Sequence, residues 1–294
     1  MIEFKKLSLD DFEKLKPYFD TNPSKICDNT IGTVFMWRHF FDTEFAIFNE
    51  TLVLKLKYTD GKWAFMMPLG KDVLNALKEI FYYCKHNRVL MRMCFVTEKD
   101  KELIAQSFTA DAKEETDWSD YMYLASDLAL MKGKKYNGPR NHINAFKREN
   151  KDYKMEFLTE DNAPEVLQFF ENHIEKDEED AMLKAEQIMI REVLSSFRLY
   201  GMNGIVLYVN NEIAGFSAGE IIGDILYVHI EKANNKIRGA YQMLVKEYAF
   251  CFLDKLKEIN REEDLGDEGL RKSKLSYKPT YLIPKYTIKI KTEL

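Results

Sequence analysis

The chain begins twice. Ile2-Glu-Phe-Lys-Lys-Leu-Ser-Leu-Asp-Asp-Phe-Glu-Lys-Leu-Lys-Pro-Tyr18-Phe19 and Met155-Glu-Phe-Leu-Thr-Glu-Asp-Asn-Ala-Pro-Glu-Val-Leu-Gln-Phe169-Phe170 follow one plan. Each is a short apolar strand, a polar capping stretch, and a helix whose apolar residues recur at helical spacing and end in an aromatic pair. Such an internal repeat predicts two units of similar architecture. With 294 residues there is chain enough for two cores of ordinary size.

The pattern after each start is also alike. In the first half the spacing predicts helices over 10–19 and 33–41, strands over 44–48, 52–58 and 63–67, a helix over 72–86 and a strand over 89–95. In the second it predicts helices over 164–174 and 181–197, then strands over 205–209, 212–221 and 225–231. Asn210-Asn211 supplies a tight hairpin turn between the first two of these strands. Next come a helix over 240–256, whose Tyr241, Leu244, Val245, Tyr248 and Phe252 fall on one stripe, a strand ending near Asn260, a short helix over 268–276 and a last strand over 286–290. The expected fold class is α/β (α+β), with each unit a mixed, mostly antiparallel sheet flanked by helices. Residues 1–131 form the first unit, 132–154 a basic linker and 155–294 the second unit.

Composition narrows the setting. Hydrophobic residues make up 46% and charged residues 31%, which describes a soluble globular chain. No stretch has the roughly 20 apolar residues of a transmembrane helix, and the first residues lack an apolar signal region, so the expected location is the cytoplasm. Cys27, Cys84, Cys94 and Cys251 are scattered without a C-x-x-C pair, which supports neither a zinc site nor a disulfide framework. No metal site is expected. The five histidines are dispersed, Trp37, Trp63 and Trp118 read as core aromatics, and the chain has no Walker loop, G-x-S-x-G elbow or H-E-x-x-H.

The net charge of −5 hides a segregation. Segment 132–151 holds seven basic residues against one acid, and segment 271–291 holds seven and none. Concentrated in that way, positive charge could draw a polyanion such as tRNA, or could simply face solvent.

Two segments carry the chemistry. Glu231-Lys-Ala-Asn-Asn-Lys236-Ile-Arg238-Gly239-Ala240-Tyr241 reads as a strand running into a basic, glycine-containing turn and then a helix. A helix N-terminus with unpaired N–H groups suits phosphate, so Lys236, Arg238, Gly239, Ala240 and Tyr241 are the candidates for a phosphorylated donor. The corresponding turn of the first half, Met67-Pro68-Leu69-Gly70-Lys71-Asp72, looks like a degenerate copy. By strand alternation Tyr227, His229 and Glu231 share a face, and His229 or Glu231 is the expected proton acceptor. A histidine bonded into the core, or a solvated carboxylate, is the plain alternative. The second segment, Asn260-Arg-Glu-Glu-Asp264-Leu-Gly266-Asp-Glu-Gly269-Leu-Arg271-Lys-Ser-Lys274-Leu-Ser-Tyr277-Lys-Pro279, offers Asn260, Asp264, Arg271, Lys274 and Tyr277 for substrate. The alternative for Asp264 and Arg271 is a salt bridge capping a helix.

The element order resembles the GNAT acyltransferase fold, taken twice. The run Asp264-x-Gly266-x-x-Gly269-Leu270-Arg271-x-x-Lys274-x-x-Tyr277-x-Pro279, with Lys135-Tyr136, Arg140-Asn141-x-Ile143 and Arg238-Gly239-Ala240, resembles the soluble bacterial family related to the C-terminal catalytic domain of phosphatidylglycerol lysyltransferases, itself similar to Fem-type aminoacyl-tRNA transferases. The resemblance implies two tandem GNAT-like units with the active cleft in the second, where the fourth and fifth strands splay apart. It also implies transfer of an aminoacyl group from aminoacyl-tRNA to an amine or hydroxyl of a small molecule, peptide or lipid head group. No tightly bound cofactor is expected. Acetyl-CoA-dependent N-acetylation, with acyl-CoA as donor, and a non-catalytic ligand-binding role are the rivals; the oligomeric state is not fixed by sequence.

Overall fold

The computed structural model describes residues 2–173 and 180–293. In chain order it runs β1 (Lys5–Lys6), α1 (Phe12–Asp20), α2 (Ile31–Met36), β2 (Glu44–Phe48), β3 (Thr51–Lys57), β4 (Trp63–Phe65), β5 (Leu69–Gly70), α3 (Val73–His86), β6 (Arg92–Val96), α4 (Glu98–Ala105) and β7 (Phe108–Glu114). There follow β8 (Asp120–Leu124), α5 (Ala125–Leu130), α6 (Asn137–Glu149), β9 (Tyr153–Phe157), α7 (Ala163–Asn172), α8 (Ala181–Ser195), α9 (Phe197–Tyr200), β10 (Asn203–Val209), β11 (Glu212–Ile222) and β12 (Ile225–Ala233). Last come α10 (Ala240–Cys251), β13 (Glu258–Asn260), α11 (Glu268–Ser276), β14 (Tyr281–Ile283) and β15 (Tyr286–Glu293). The helix expected over 164–174 is α7; its final residue, Ile174, lies outside the described residues.

Two mixed sheets result, and the tandem GNAT-like class is the one observed. One sheet has the order β1-β2-β3-β4-β6-β15-β7, with β5 paired to β3; the other has the order β14-β8-β13-β12-β11-β10-β9. The unit limits differ from the expected ones. The first compact unit is 1–119 with 283–294, and the second is 120–282. Strand β15 runs antiparallel to both β6 and β7 in the first sheet, and β8 pairs with β13 in the second. Local pattern cannot reveal such an exchange, because an apolar alternation such as that of Ile288 and Ile290 specifies a buried face without naming the sheet that buries it.

The expected basic linker is also corrected. Pro139, Ile143, Ala145 and Phe146 make a buried stripe on α6, so most of 132–154 belongs to the second core. Its basic residues left those apolar positions sparse enough to read as connection. The 271–291 segment is divided between the units, and two of its lysines are interior. Lys274 and Lys285 are buried, the latter ion-paired to Asp28, so the run is not one continuous basic face.

In the first unit Ala76, Leu77, Ile80 and Cys84 of α3 cover the sheet residues Phe65, Met93, Val96, Ile288 and Ile290. In the second, Met243, Leu244, Val245, Tyr248 and Ala249 of α10 join Leu226, Val228 and Ile259 in one core. The hairpin at Asn210-Asn211 has φ of +52° and +65°, the left-handed pair that a two-residue turn matching strand twist requires.

Candidate functional site

The turn from β12 to α10 is built by short-range bonds. The Lys236 amide donates to Asn234 Oδ1 at 3.0 Å, and the Ile237 amide donates to the Asn234 carbonyl at 3.0 Å. Gly239 then takes φ +83°, and α10 starts. A Cβ on Gly239 would stand 2.4 Å from the His142 carbonyl oxygen of α6. The glycine is therefore required by its left-handed backbone and by contact with α6, and its open side does not face a ligand. Of the other expected donor residues, Lys236 and Tyr241 are exposed, Ala240 is buried, and Arg238 is 60% exposed at its side chain. Glu149 Oε1 lies 3.7 Å from Arg238 and 3.3 Å from Arg148, so the fold unites this turn with the basic end of α6.

Beside the turn the sheet opens. Strands β12 and β13 run parallel through Ile225↔Glu258, Leu226↔Ile259 and Tyr227↔Asn260, where β13 ends while β12 continues to Ala233. Beyond that point the edge of β12 from Val228 to Ala233 has no ladder partner on this side among the described residues. On the opposite side of β12 the register slips: Gly219 faces Val228 and Ala218 faces Ile230, leaving His229 as the extra residue of a bulge. Cross-strand partners share a face, and Tyr227 is opposite Glu220 whereas Glu231 is opposite Ser217. Glu220 and Ser217 are three residues apart, so the bulge puts Tyr227 and Glu231 on opposite faces. The expectation that Tyr227, His229 and Glu231 share a face is thus overturned.

His229 is not placed to be a base. Its Nδ1 lies 2.7 Å from Glu262 and its Nε2 2.8 Å from Glu220, with the ring wholly buried. Burial alone would lower its pKa, but the two carboxylate hydrogen bonds and their charge outweigh burial and push it up to about 10. The result is a buried imidazolium clamped at both nitrogens. Glu231 in turn accepts from Arg261 Nη2 at 2.8 Å, and the Arg261 guanidinium lies 4.8 Å from the Tyr277 ring centroid. These two ion pairs bridge the opening at side-chain level. Arg261 Nη1 and Ser217 Oγ are buried without a partner among the described residues, and both flank Glu231.

Most of the expected substrate residues form a structural hub instead. Asp264 is held by Arg271 through bonds of 2.8 and 2.7 Å, by the Tyr121 hydroxyl at 2.5 Å and by the Gly266 amide at 2.9 Å. Burial opposes its ionisation, yet these partners hold its carboxyl down at about 2. Lys274 is buried and donates to the carbonyls of Arg261, at 2.6 Å, and Glu263. Asn260 donates to Asp120 at 2.7 Å, and its Oδ1 accepts from the Glu262 amide at 2.7 Å. Tyr277 is 2% exposed. Asp264 and Arg271 are spent on each other, which is the salt-bridge alternative, and Lys274 offers no exposed charge. Arg261, Glu262, Glu220 and Ser217 were not singled out in the sequence. A signal existed for the first two, since charged residues directly after a buried strand must find partners.

Among the described residues no helix is long and apolar enough to cross a membrane. The chain is similar to a conserved protein of unknown function from Bacteroides thetaiotaomicron, 33% identical, over 99% of this chain and 100% of that one, with a TM-score of 0.87. It shares its fold with L-PGS from Bacillus licheniformis, 16% identical, over 94% of this chain and 91% of that one, at a TM-score of 0.65. FemX, 10% identical, has that fold too, with 97% and 96% covered and a TM-score of 0.59. An uncharacterised protein of Mycoplasmoides gallisepticum is 25% identical over 192 residues; the match takes in 65% of this chain and 59% of that relative's length. Residues 20–289 match the family described as phosphatidylglycerol lysyltransferase, C-terminal. The chain belongs to that family.

Proposed function

We propose that the second unit is an acyltransferase of the lysyltransferase and Fem kind, acting in the cytoplasm, which moves an aminoacyl group from aminoacyl-tRNA to an amine or hydroxyl acceptor. The observation that carries this reading is the meeting, at one end of β12, of an opened sheet with a basic surface built from two distant segments. Family membership and fold support acyl transfer in general. The choice of donor rests on physical grounds. Arg238, Arg148 and Lys236 lie on the surface, where a polyribonucleotide can reach them, and Glu149 neutralises only part of their charge. In the opening, Arg261 Nη1 is a buried donor with its hydrogen-bonding capacity unspent, suited to the carbonyl oxygen of a bound acyl group.

A coenzyme A donor fits less well. The backbone approach that a glycine would give to pyrophosphate is filled by α6 at Gly239, and Tyr241 stands where a second glycine would widen the turn. Filter binding with total tRNA, charged and deacylated, and thermal shift with coenzyme A and acetyl-CoA test the assignment. The expected result is salt-sensitive binding of tRNA, tighter when charged, with no shift from coenzyme A. A shift with coenzyme A and no tRNA binding would replace it with acetyl transfer. Binding of tRNA without turnover on any amine would leave a ligand-binding protein.

A further inference from the structure

We propose that the open edge of β9 is where a second copy of this chain pairs, strand against antiparallel strand about a two-fold axis at Met155. Strand β9 ends the seven-stranded sheet and has a ladder on one side only, with β10. The Leu158 amide donates to the Gly204 carbonyl at 2.9 Å, and the Asp152 carbonyl accepts from the Asn210 amide at 2.8 Å. Bonds in an antiparallel ladder fall on alternate residues, so Asp152, Lys154, Glu156 and Leu158 are the ones that turn their backbone groups toward β10. Tyr153, Met155 and Phe157 turn theirs to the open side, where no strand among the described residues meets them. An edge left unpaired in this way is a template for another strand.

The edge is its own complement. Tyr153-Lys154-Met155-Glu156-Phe157 reads aromatic, basic, apolar, acidic, aromatic. With Met155 opposite Met155 of the second copy, Tyr153 faces Phe157 and Lys154 faces Glu156, and each relation holds in both directions, as a two-fold requires. In that register every outward N–H and C=O of one copy meets its counterpart on the other. Sliding by one residue would set outward groups against groups already bonded to β10. Sliding by two would put Lys154 opposite Lys154, or Glu156 opposite Glu156, and like charges directly opposite are unfavourable. One register therefore satisfies both the backbone and the charges.

The side chains agree with it. On one face Tyr153 packs against Phe146 with ring centroids 5.4 Å apart and Phe157 against Phe252 at 5.7 Å, yet Phe157 is still 55% exposed. A second copy would lay its Tyr153 beside that ring as an aromatic cross-strand pair. On the other face Lys154 Nζ lies 2.7 Å from Glu156 Oε1 of the same strand, and both residues are exposed. Pairing would give each an opposite charge across the edge as well. Neither a proline nor a bulge protects residues 153–157, and the lysine there is matched by a carboxylate. Because pairing uses up this edge, assembly through it stops at two copies.

Sedimentation velocity of the full chain, from low to high micromolar concentration, should show the mass doubling, in the fast exchange expected of a small contact. K154E and E156K each set like charges opposite one another and should raise the dimer dissociation constant roughly tenfold or more. Mixed in equal amounts, the two variants have complementary edges again and should recover parent-like dimerisation. Both positions are exposed, so circular dichroism of either variant should match the parent. In the parent, amide hydrogen exchange at Tyr153, Met155 and Phe157 should slow as concentration rises, while Lys154 and Glu156, already bonded to β10, should not change. A parent that stays monomeric at high micromolar concentration, a dimer that K154E and E156K leave untouched, a mixture that does not recover, or exchange at the outward amides that ignores concentration would each overturn the proposal.

Discussion

The corresponding strand-to-helix turns of the two units are both bonded within the fold but carry different side chains. In the first, Leu69 and Gly70 form β5 and pair with Leu52 and Thr51 of β3, while the Asp72 amide donates to Thr51 Oγ1 at 3.0 Å. The backbone groups that could greet an anion are thereby bonded within the fold. In the second unit the amides of Asn234, Lys236, Ile237 and Ala240 are also bonded within the fold, the first to Ala214 of β11, and the difference lies in the side chains, which stand on a basic surface shared with α6. The sheets differ in parallel fashion. Strands β4 and β6 meet through the single pair Phe65↔Met93, and beside them the rings of Tyr58, Phe95 and Trp118 pack with centroids 5.4 to 5.8 Å apart. Between β12 and β13 the gap is crossed by charged side chains with polar atoms left over. Two copies of one plan can therefore diverge into a closed support and a unit with a polar opening. What changed is the filling of equivalent gaps, with topology retained.

The strongest way to break this contrast is to empty the ionic bridge of the second unit. H229L leaves the buried Glu220 and the half-buried Glu262 without their shared cation, and should lower stability by about 3–5 kcal/mol in urea unfolding. A loss below about 1 kcal/mol would mean that the clamp is not a structural element of the opening. The sign of its pH dependence is fixed as well. His229 has a folded pKa of about 10 against an unfolded value near 6.5, so its contribution is complete below about 6.5 and fades as pH rises toward about 10. The parent's urea midpoint should therefore fall across that window by more than that of H229L.

Glycine substitutions sharpen the comparison at the turns. A Cβ at Gly70 would come within 2.5 Å of the Glu50 carbonyl, and one at Gly239 within 2.4 Å of the His142 carbonyl. Both G70A and G239A should cost about 2–3 kcal/mol or more, against about 1 for G201A, whose Cβ would meet nothing within 4 Å. If G239A were fully stable and lost only tRNA binding, the glycine would belong to the ligand after all.

D264N comes next, with an expected cost of about 1–3 kcal/mol from the broken bidentate bond to Arg271. The parent's Asp264 contributes stability above its unfolded pKa of 3.8, and that contribution is lost as pH falls toward about 2. Acid unfolding of the two proteins, followed by circular dichroism, should converge there.

The smallest effects separate the turns most cleanly. K236A with R238A should weaken tRNA binding about tenfold and flatten its salt dependence, leaving unfolding unchanged. K71A in the first unit should leave tRNA binding as it was. Equal losses from both would erase the division of roles.

The element order, the repeat and the hairpin at Asn210-Asn211 were legible in the sequence, because each is written in local periodicity or turn chemistry; the opening beside β12 was implied only by the family resemblance. The roles of single residues were less so. The bulge at His229 cannot be read from alternation, since one extra residue shifts every later side chain to the other face. Asp264, Arg271 and Lys274 looked like ligand groups because charge is visible in a sequence, while the partner that cancels it is not.

By itself the sequence determined where many of the helices and strands form and that two similar units exist, because backbone preference and apolar spacing act over a few residues; the elements between 98 and 149 were not read from it. Tertiary structure alone decided that β15 and β8 complete the sheets they do. It also decided which charges neutralise one another. Those outcomes depend on what burial brings within hydrogen-bond range across many residues of separation, and no local pattern encodes that distance.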